Sequence, residues 1–293
     1  ICAALGPADR DRCQPSSTFM RSRKMRSLTN RNVVITGAAS GIGRQMAHLF
    51  AKEKSNLAII DINEHALKET VDELSEYQVK VHPYRCDLCS KDEIEETAKR
   101  IKDDFGQIDI LVNNAAVISG RMIADLSYEE IRRTFDVNLM AVIWMTKQFM
   151  PEMMSRNSGY IVNIASGAGF VAAVQMGDYC ASKAGSIVFS DALRRELRKS
   201  GCKNVKVLVV CPGLIDTGMF EGLRQPWYFP PLRPENVAAK VLGAIKKEMA
   251  LLMLPSSSWV VLLVRLLPVS FQDWVFEIMG AGKAMDHFVG RRT

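Results

Sequence analysis

The stretch Asn32-Val33-Val34-Ile35-Thr36-Gly37-Ala38-Ala39-Ser40-Gly41-Ile42-Gly43 decides the fold. Asn32 to Thr36 is a β-branched run and reads as a strand, and the segment from Ile42 to Lys54 has the amphipathic spacing of a helix. Only small residues lie between them. They let the backbone turn tightly and approach a pyrophosphate, whose charge is stabilised by the free amides and positive end of the helix that follows. The turn departs from the usual G-x-G-x-x-G spacing, so its position carries the reading. Asp61 stands twenty residues beyond Gly41, at the end of the next strand. A carboxylate there can accept both hydroxyls of an adenosine ribose while repelling a 2′-phosphate. Neither Ser40 nor Ile62 offers a cation to offset that repulsion, which favours NAD over NADP. Capping of the following helix is the other use for Asp61.

Outward from this turn the pattern alternates. Leu57 to Asp61, Val79 to Tyr84, Ile108 to Val112, Tyr160 to Ile164, Val205 to Val210 and Ala250 to Leu254 read as strands. Helices are expected over Glu64 to Ser75, Lys91 to Asp104, a long segment that Ser127 opens and Pro151 ends, Asp178 to Lys199, and Pro234 to Lys247. Ser127 and Glu130 have capping-box spacing. Such alternation predicts an α/β fold: one Rossmann-type, doubly wound parallel sheet with helices on both faces. The organisation expected is a basic flexible leader over 1–31, a single domain over 32–254 and an apolar extension over 255–293.

Composition excludes several function classes. The chain has 293 residues, 48% of them hydrophobic and 24% charged, enough for one large core. Its net charge is +6, and the first 31 residues carry +5 of it through six arginines and Lys24. The rest is nearly neutral, which argues against a nucleic-acid-binding face. Seven scattered cysteines suit a reducing environment. Cys86 and Cys89 have metal spacing but no nearby second pair, and the four histidines are dispersed, so no metal is expected. The leader is either simple disorder or a polybasic segment attracted to anionic lipid.

Asp178-Tyr179-Cys180-Ala181-Ser182-Lys183 carries the chemistry. On a helix, Tyr179 and Lys183 share a face, about 5–6 Å apart at Cβ. To act as a base near neutral pH a phenol must lose roughly two to three pK units, about 3–4 kcal/mol, and a lysine charge ~4 Å away supplies about 4 kcal/mol at an effective dielectric near 20. Lys183 is therefore expected to favour the phenolate, assisted by the positive nicotinamide of an oxidised cofactor. By itself such a pair is usually a core aromatic beside a solvated charge, so the rest of the chain must carry the reading. Ser166, thirteen residues before Tyr179 and just beyond a strand, can orient a substrate oxygen towards the phenol. An alcohol losing its hydride to a nicotinamide must also lose its hydroxyl proton, and Tyr179 is the candidate acceptor. Arg44 could touch a phosphate or be a helix-surface charge.

These motifs together resemble the short-chain dehydrogenase/reductase family, from about Asn32 to Leu254. The turn from Thr36 to Gly43 is similar to the family's cofactor motif, implying cofactor contacts at Gly37, Ser40, Gly41, Ile42 and Gly43. The resemblance also implies that Asp87 touches the adenine ring and that Asn114, in Asn113-Asn114-Ala115-Ala116, lies at the cofactor; Ala116 replaces a usual glycine. Asn138, Ser166, Tyr179 and Lys183 match the catalytic set in order and spacing, with Asn138 implied to hold a water linking Lys183 to solvent. Lys183 and Tyr179 would also meet the ribose. Pro212, Gly213 and Thr217 match the segment that contacts the carboxamide. A homodimer through Ser127 to Met150 and Asp178 to Lys199 is implied as well.

The substrate end is apolar. Leu214 to Pro234 contains Met219, Phe220, Leu223, Trp227, Tyr228 and Phe229 without regular periodicity, which suits a lid over a lipophilic substrate. Phe170, Val171, Val174 and Met176 are expected in the same wall. Met249 to Leu267 is almost wholly apolar but is interrupted by Pro255, three serines and Arg265, so a spanning helix is not expected. Trp259 to Leu267 should form a short helix at a lipid interface, across the substrate pocket or against a dimer partner. Thr217 to Gly222, Tyr179 to Lys183 and Ala284 to Val289 resemble the branch of the family that holds retinol dehydrogenases and lipid-droplet 17-beta-hydroxysteroid dehydrogenases. That likeness implies NAD-dependent oxidation of all-trans-retinol or another lipid alcohol at a cytosol-facing endoplasmic reticulum or lipid-droplet surface. An NADPH-dependent carbonyl reductase and a non-catalytic lipid-droplet scaffold are the alternatives.

Overall fold

The computed structural model describes residues 27–223, 230–278, 282 and 285–290, without the side chain of Val261. Seven strands, β1 (Asn32–Thr36), β2 (Asn56–Asp61), β3 (Val81–Arg85), β4 (Ile110–Asn113), β5 (Gly159–Ile164), β6 (Val205–Pro212) and β7 (Leu251–Leu254), form one sheet in the order β3-β2-β1-β4-β5-β6-β7. Every pairing is parallel. Parallel strands covered on both faces read as continuous apolar runs. Val33 and Ile35 accordingly join one core, with Met46 and Phe50 of α1 (Gly41–Lys52) and Val241 and Ile245 of α7 (Pro234–Lys246). Val34 joins the opposite core, with Ile94 and Ile101 of α3 (Lys91–Phe105), Phe149 of α5 (Ala141–Ser155) and Leu193 of α6 (Gly177–Lys199). The remaining helices are α2 (Glu64–Leu74), α4 (Tyr128–Phe135), α8 (Trp259–Val264) and α9 (Val269–Ile278).

Strand order reverses between β1 and β4. The connections diverge there, leaving a crevice beyond the carboxyl ends of the strands, where open α/β sheets bind ligands.

The structure amends several expectations. Ser127 and Glu130 do form a complete capping box on α4. Pro151, however, does not end the helix, because α5 continues to Ser155 and Met153 is fully buried in the core. A proline removes one helix hydrogen bond, and burial of Met153 outweighs that loss. The expected single long helix is also broken by a wide π turn, Asp136–Met140, between α4 and α5. The leader was expected to reach residue 31, yet packing begins earlier: Leu28 is fully buried, its carbonyl accepts from Ser55 Oγ at 2.7 Å, and Arg31 pairs with Asp109 at 2.9 Å. Residues 1–26 of the expected leader lie outside the described residues, as do Trp227, Tyr228, Phe229 and Ala284. The helix expected over Trp259 to Leu267 stops at Val264, and α9 follows it. Among the described residues no helix is long and apolar enough to cross a membrane.

Candidate active site

A cleft of about 980 Å³ opens at the carboxyl ends of the central strands, lined at one end by Gly41, Asp61 and Asp87 and at the other by Ser166, Tyr179 and Lys183. All of the sequence-derived site residues line it except Gly43 and Asn138. Those two act from behind.

Gly43 lies where α1 crosses the Gly-rich turn. A Cβ there would sit 2.0 Å from the Gly37 carbonyl oxygen and 2.6 Å from Asn114 Nδ2, so only glycine lets helix and turn close up. Asn114 then clamps the turn: its Nδ2 donates to the carbonyls of Thr36 at 3.0 Å and Gly37 at 3.1 Å, and its backbone N–H donates to Thr36 Oγ1 at 2.9 Å. The asparagine is therefore spent on the turn's shape. No acidic residue occupies the first turn of α1, which leaves the positive end of the helix facing the cleft.

Asp61 stands at the end of β2 and accepts from the backbone N–H of Ala39 at 3.1 Å and of Asn63 at 3.1 Å. It does not cap α2; the Asn63 side chain does, accepting from Ala66 N–H. Asp87 is held similarly, accepting from Cys89 N–H at 2.9 Å. Arg44 is turned to Glu73 and Glu69, forming a surface ion-pair cluster. Cys86 and Cys89 are free thiols that burial pushes up to about 11, which keeps them protonated at neutral pH. No metal-binding group of three or more His, Cys, Asp or Glu occurs among the described residues.

At the other end, α6 places Tyr179 and Lys183 on one buried face, with Lys183 Nζ 5.8 Å from the centre of the Tyr179 ring. Lys183 Nζ donates to the Ile164 carbonyl at 2.9 Å. Ser166 caps the short turn after β5, its Oγ accepting from Ala168 N–H at 3.1 Å, and it lies close enough to Tyr179 to draw the phenol's pKa down. The protein's own groups do not by themselves depress the phenol. Burial pushes Tyr179 up to about 12, and the Ser166 hydrogen bond offsets that only in part. Burial likewise brings Lys183 down to about 8, with Cys211 acting weakly in the opposite sense. Desolvation disfavours both charged forms and is the largest cause in each case.

Asn138 is fully buried in the π turn. Its Oδ1 accepts from Val117 N–H at 2.8 Å, while its Nδ2 donates to the Val117 carbonyl at 2.9 Å and to Ser182 Oγ at 3.1 Å. Both side-chain donors are thus committed. A buried polar chain missed in the sequence runs behind the site: Asn113 to Asn163 at 2.8 Å, Asn163 to Ser190 at 2.9 Å, Ser190 to the Ser186 carbonyl at 2.7 Å, and Ser186 to the Asn138 carbonyl at 3.1 Å. It ties β4, β5, α6 and the π turn into one unit. Asp178 adds a tie to α4, accepting from Thr134 at 2.8 Å and from Ser119 at 3.1 Å.

The apolar wall is only partly as expected. Met176, Phe220 and Leu223 gather around Tyr179, whereas Phe170 packs elsewhere, beside Ile187, and Val174 is exposed.

Comparison with known proteins now adds to the geometry. The family model for short chain dehydrogenase matches residues 31–226. The chain belongs to this family. It is 36% identical over 299 residues to retinol dehydrogenase 10-B of Danio rerio, covering 94% of this chain and 89% of that protein. Estradiol 17-beta-dehydrogenase 11 of Pongo abelii is 37% identical over 250 residues, covering 85% of this chain and 83% of that one. Among solved structures, a short chain dehydrogenase/reductase from Burkholderia phymatum in complex with NAD superposes with a TM-score of 0.77 at 28% identity, covering 84% of this chain and 96% of that chain. The protein is thus an NAD(P)-dependent oxidoreductase of the alcohol dehydrogenase type, acting on a small molecule. Its cleft fits a nicotinamide dinucleotide: a glycine cradle at one helix end, a carboxylate one strand away, and a tyrosine–lysine pair at the far end.

Proposed function

We propose that this protein oxidises a lipophilic alcohol with NAD, with all-trans-retinol the first candidate. The observation that carries the reading is the polarity of the cleft. One end presents the Asp61 carboxylate with Ile62 beside it, and the other presents Ser166 and Tyr179 against an apolar cluster of Met176 and Phe220. The first arrangement favours a ribose over a 2′-phosphate, and the second favours an apolar substrate over a sugar or an acid. The relatives named as retinol and estradiol dehydrogenases support the same substrate class.

The roles follow from position. Gly37, Ser40, Gly41, Ile42 and Gly43 would hold the pyrophosphate, Asp61 the adenosine ribose, Asp87 the adenine, and Pro212, Gly213 and Thr217 the carboxamide end, with Asn114 fixing the turn. When bound in its oxidised form, the cofactor supplies the hydride acceptor and a positive charge beside the phenol. Ser166 holds the substrate oxygen. Tyr179 takes the hydroxyl proton, and Lys183, four residues on, stabilises the phenolate that this requires. Burial alone favours the neutral phenol, so the charge of Lys183 and that of the oxidised cofactor would together supply its basicity. Asn138 supports Lys183 and Tyr179 from the π turn.

Lipid attachment belongs to the same proposal. Trp259 is 51% exposed, Leu263 64%, Val269 70% and Trp274 54%, which suits helices α8 and α9 lying at an endoplasmic reticulum or lipid-droplet surface. A homodimer through α4, α5 and α6 is also proposed, supported by Val188, 67% exposed on α6. Initial rates with all-trans-retinol, a 17β-hydroxysteroid and a long-chain alcohol, each with NAD and NADP, test the reading. Absence of turnover by folded, cofactor-bound, vesicle-reconstituted protein would refute it. Tyr179→Phe should retain cofactor binding and lose roughly 10²–10⁴-fold in rate.

A further inference from the structure

Arg44 stands on the first turn of α1, its N–H donating to the Ser40 carbonyl at 3.2 Å, and it lines the same cleft as Asp61, Ile62 and Asn63. A guanidinium has the planar fork that binds a phosphate through two hydrogen bonds. This one is engaged elsewhere. Arg44 Nε donates to Glu73 Oε2 at 2.9 Å, a second guanidinium nitrogen donates to Glu73 Oε1, and a Glu69 oxygen stands 4.0 Å from the third. Both carboxylates belong to α2, the helix that follows Asp61.

Glu73 is itself braced. His48, one turn along α1 from Arg44, places Nε2 3.0 Å from Glu73 Oε2, and the Tyr77 hydroxyl lies 3.5 Å from the other ring nitrogen. The hydrogen bond from Arg44 holds the Glu73 carboxyl below the usual carboxylate range, so it stays ionised at neutral pH. The pair differs from an ordinary surface contact: the Arg44 side chain is 26% exposed and held through two nitrogens, whereas Arg132 on α4 meets Asp136 through one at 3.4 Å and is 84% exposed. A carboxylate fork with a histidine behind it fixes where the guanidinium points.

We propose that Glu73 is a determinant of cofactor choice: by engaging Arg44 it keeps a phosphate-binding cation from the 2′ position of the adenosine ribose. The inference rests on the cofactor position proposed above, with Asp61 at that ribose. Asp61 acts by repelling a 2′-phosphate, and Glu73 acts by withholding the group that would offset the repulsion. Glu73 does not itself line the cleft. Its loss therefore leaves a ribose with free hydroxyls undisturbed and alters binding of the phosphorylated form alone.

The test measures dissociation constants of the full chain for 5′-ADP and 2′,5′-ADP by calorimetry, and for NAD and NADP by fluorescence titration, without turnover. Glu73→Ala should tighten 2′,5′-ADP and NADP by roughly threefold to tenfold and leave 5′-ADP and NAD within about twofold. Asp72→Ala removes the same charge from α2 outside the ion-pair cluster and should change none of the four, while adding Arg44→Gln to Glu73→Ala should abolish the gain. Unchanged 2′,5′-ADP affinity in Glu73→Ala, an equal gain in Asp72→Ala, or a gain that survives Arg44→Gln would each overturn the inference while leaving the cofactor reading intact. Should Glu73→Ala fail to fold, Glu73→Gln replaces it, with a gain of about twofold or more expected and unchanged affinity again overturning the inference. A folded parent that binds neither 5′-ADP nor NAD would refute the cofactor reading and this inference with it.

Discussion

Asn138→Ala is the substitution whose consequence follows most directly from the geometry. The side chain is fully buried and makes three hydrogen bonds, two of them to the backbone of Val117 and one to Ser182. Its orientation is settled by Val117, whose N–H requires an acceptor and whose carbonyl requires a donor. A net contribution of about 1 kcal/mol per hydrogen bond predicts a loss of about 3 kcal/mol on truncation. Two considerations bracket that figure. Val117 is half-buried, so water can replace part of what its backbone loses, whereas the cavity left by the amide adds to the cost. Ser182 is the least affected partner, because its hydroxyl still donates to the Tyr179 carbonyl at 2.8 Å. A destabilisation of about 2–4 kcal/mol is therefore expected, read as a lower urea midpoint at constant slope. Asn138→Asp should be at least as damaging at pH 7, since it turns a carboxylate oxygen towards the Val117 carbonyl. Its stability should improve as the pH is lowered, because the buried carboxyl binds its proton more tightly in the folded than in the unfolded chain. An Asn138→Ala protein within 0.5 kcal/mol of the parent would refute the assignment of Asn138 as the clamp between the π turn and Val117.

Lys183→Met tests the buried ammonium. With Lys183 brought down to about 8 in the fold, the unfolded chain holds more protons on this side chain between pH 8 and about 10.4, so its contribution to stability rises with pH over that window. The parent should therefore gain on the order of 3 kcal/mol relative to Lys183→Met between those limits, in unfolding curves measured at several pH values; parallel pH profiles would contradict the depressed lysine. Gly43→Ala forces a Cβ into the Gly37 carbonyl and should cost about 1–3 kcal/mol, with a tenfold or greater loss of NAD affinity by fluorescence titration. An unaltered dissociation constant would show that the cradle is not where the cofactor sits. Asp61→Ala also releases the amides of Ala39 and Asn63, so the NAD-to-NADP ratio of kcat/KM is the informative readout. That ratio should drop at least tenfold, equivalent to about 1.4 kcal/mol, and its persistence would reassign Asp61 to shaping the turn.

The legibility of this protein in its sequence divides according to how local the cause is. Strand β1, the turn to Gly43 and the capping box at Ser127 are local, and the same residues that suggest them also form them. Four-residue spacing likewise brings Tyr179 and Lys183 to one face. The π turn left a single trace, an asparagine inside a helix, because one inserted residue disturbs the apolar period too little to be read. Ser182, Ser186 and Ser190 recur every four residues and look like a solvated stripe, yet all three are buried against Asn138 and Asn163. They pass for surface because the polar partners that satisfy them lie on other elements.

The protonation of the site shows the same division most clearly. Spacing establishes that an ammonium stands near a phenol, and Coulomb attraction alone would then favour the phenolate. The outcome depends on what covers the pair, and the covering comes from Met176, Phe220 and Met285, two of them far from Tyr179 in sequence. Their packing removes water and raises the phenol, and burial brings the ammonium down to about 8, so near neutral pH the protein's own groups hold a neutral phenol beside a largely protonated lysine. The cover that excludes water from the reaction thus also raises the phenol that must act as its base. Loosening that cover, as in Phe220→Ala, should bring the phenol back towards its ordinary value, read as a lower pH for tyrosinate absorbance than in the parent.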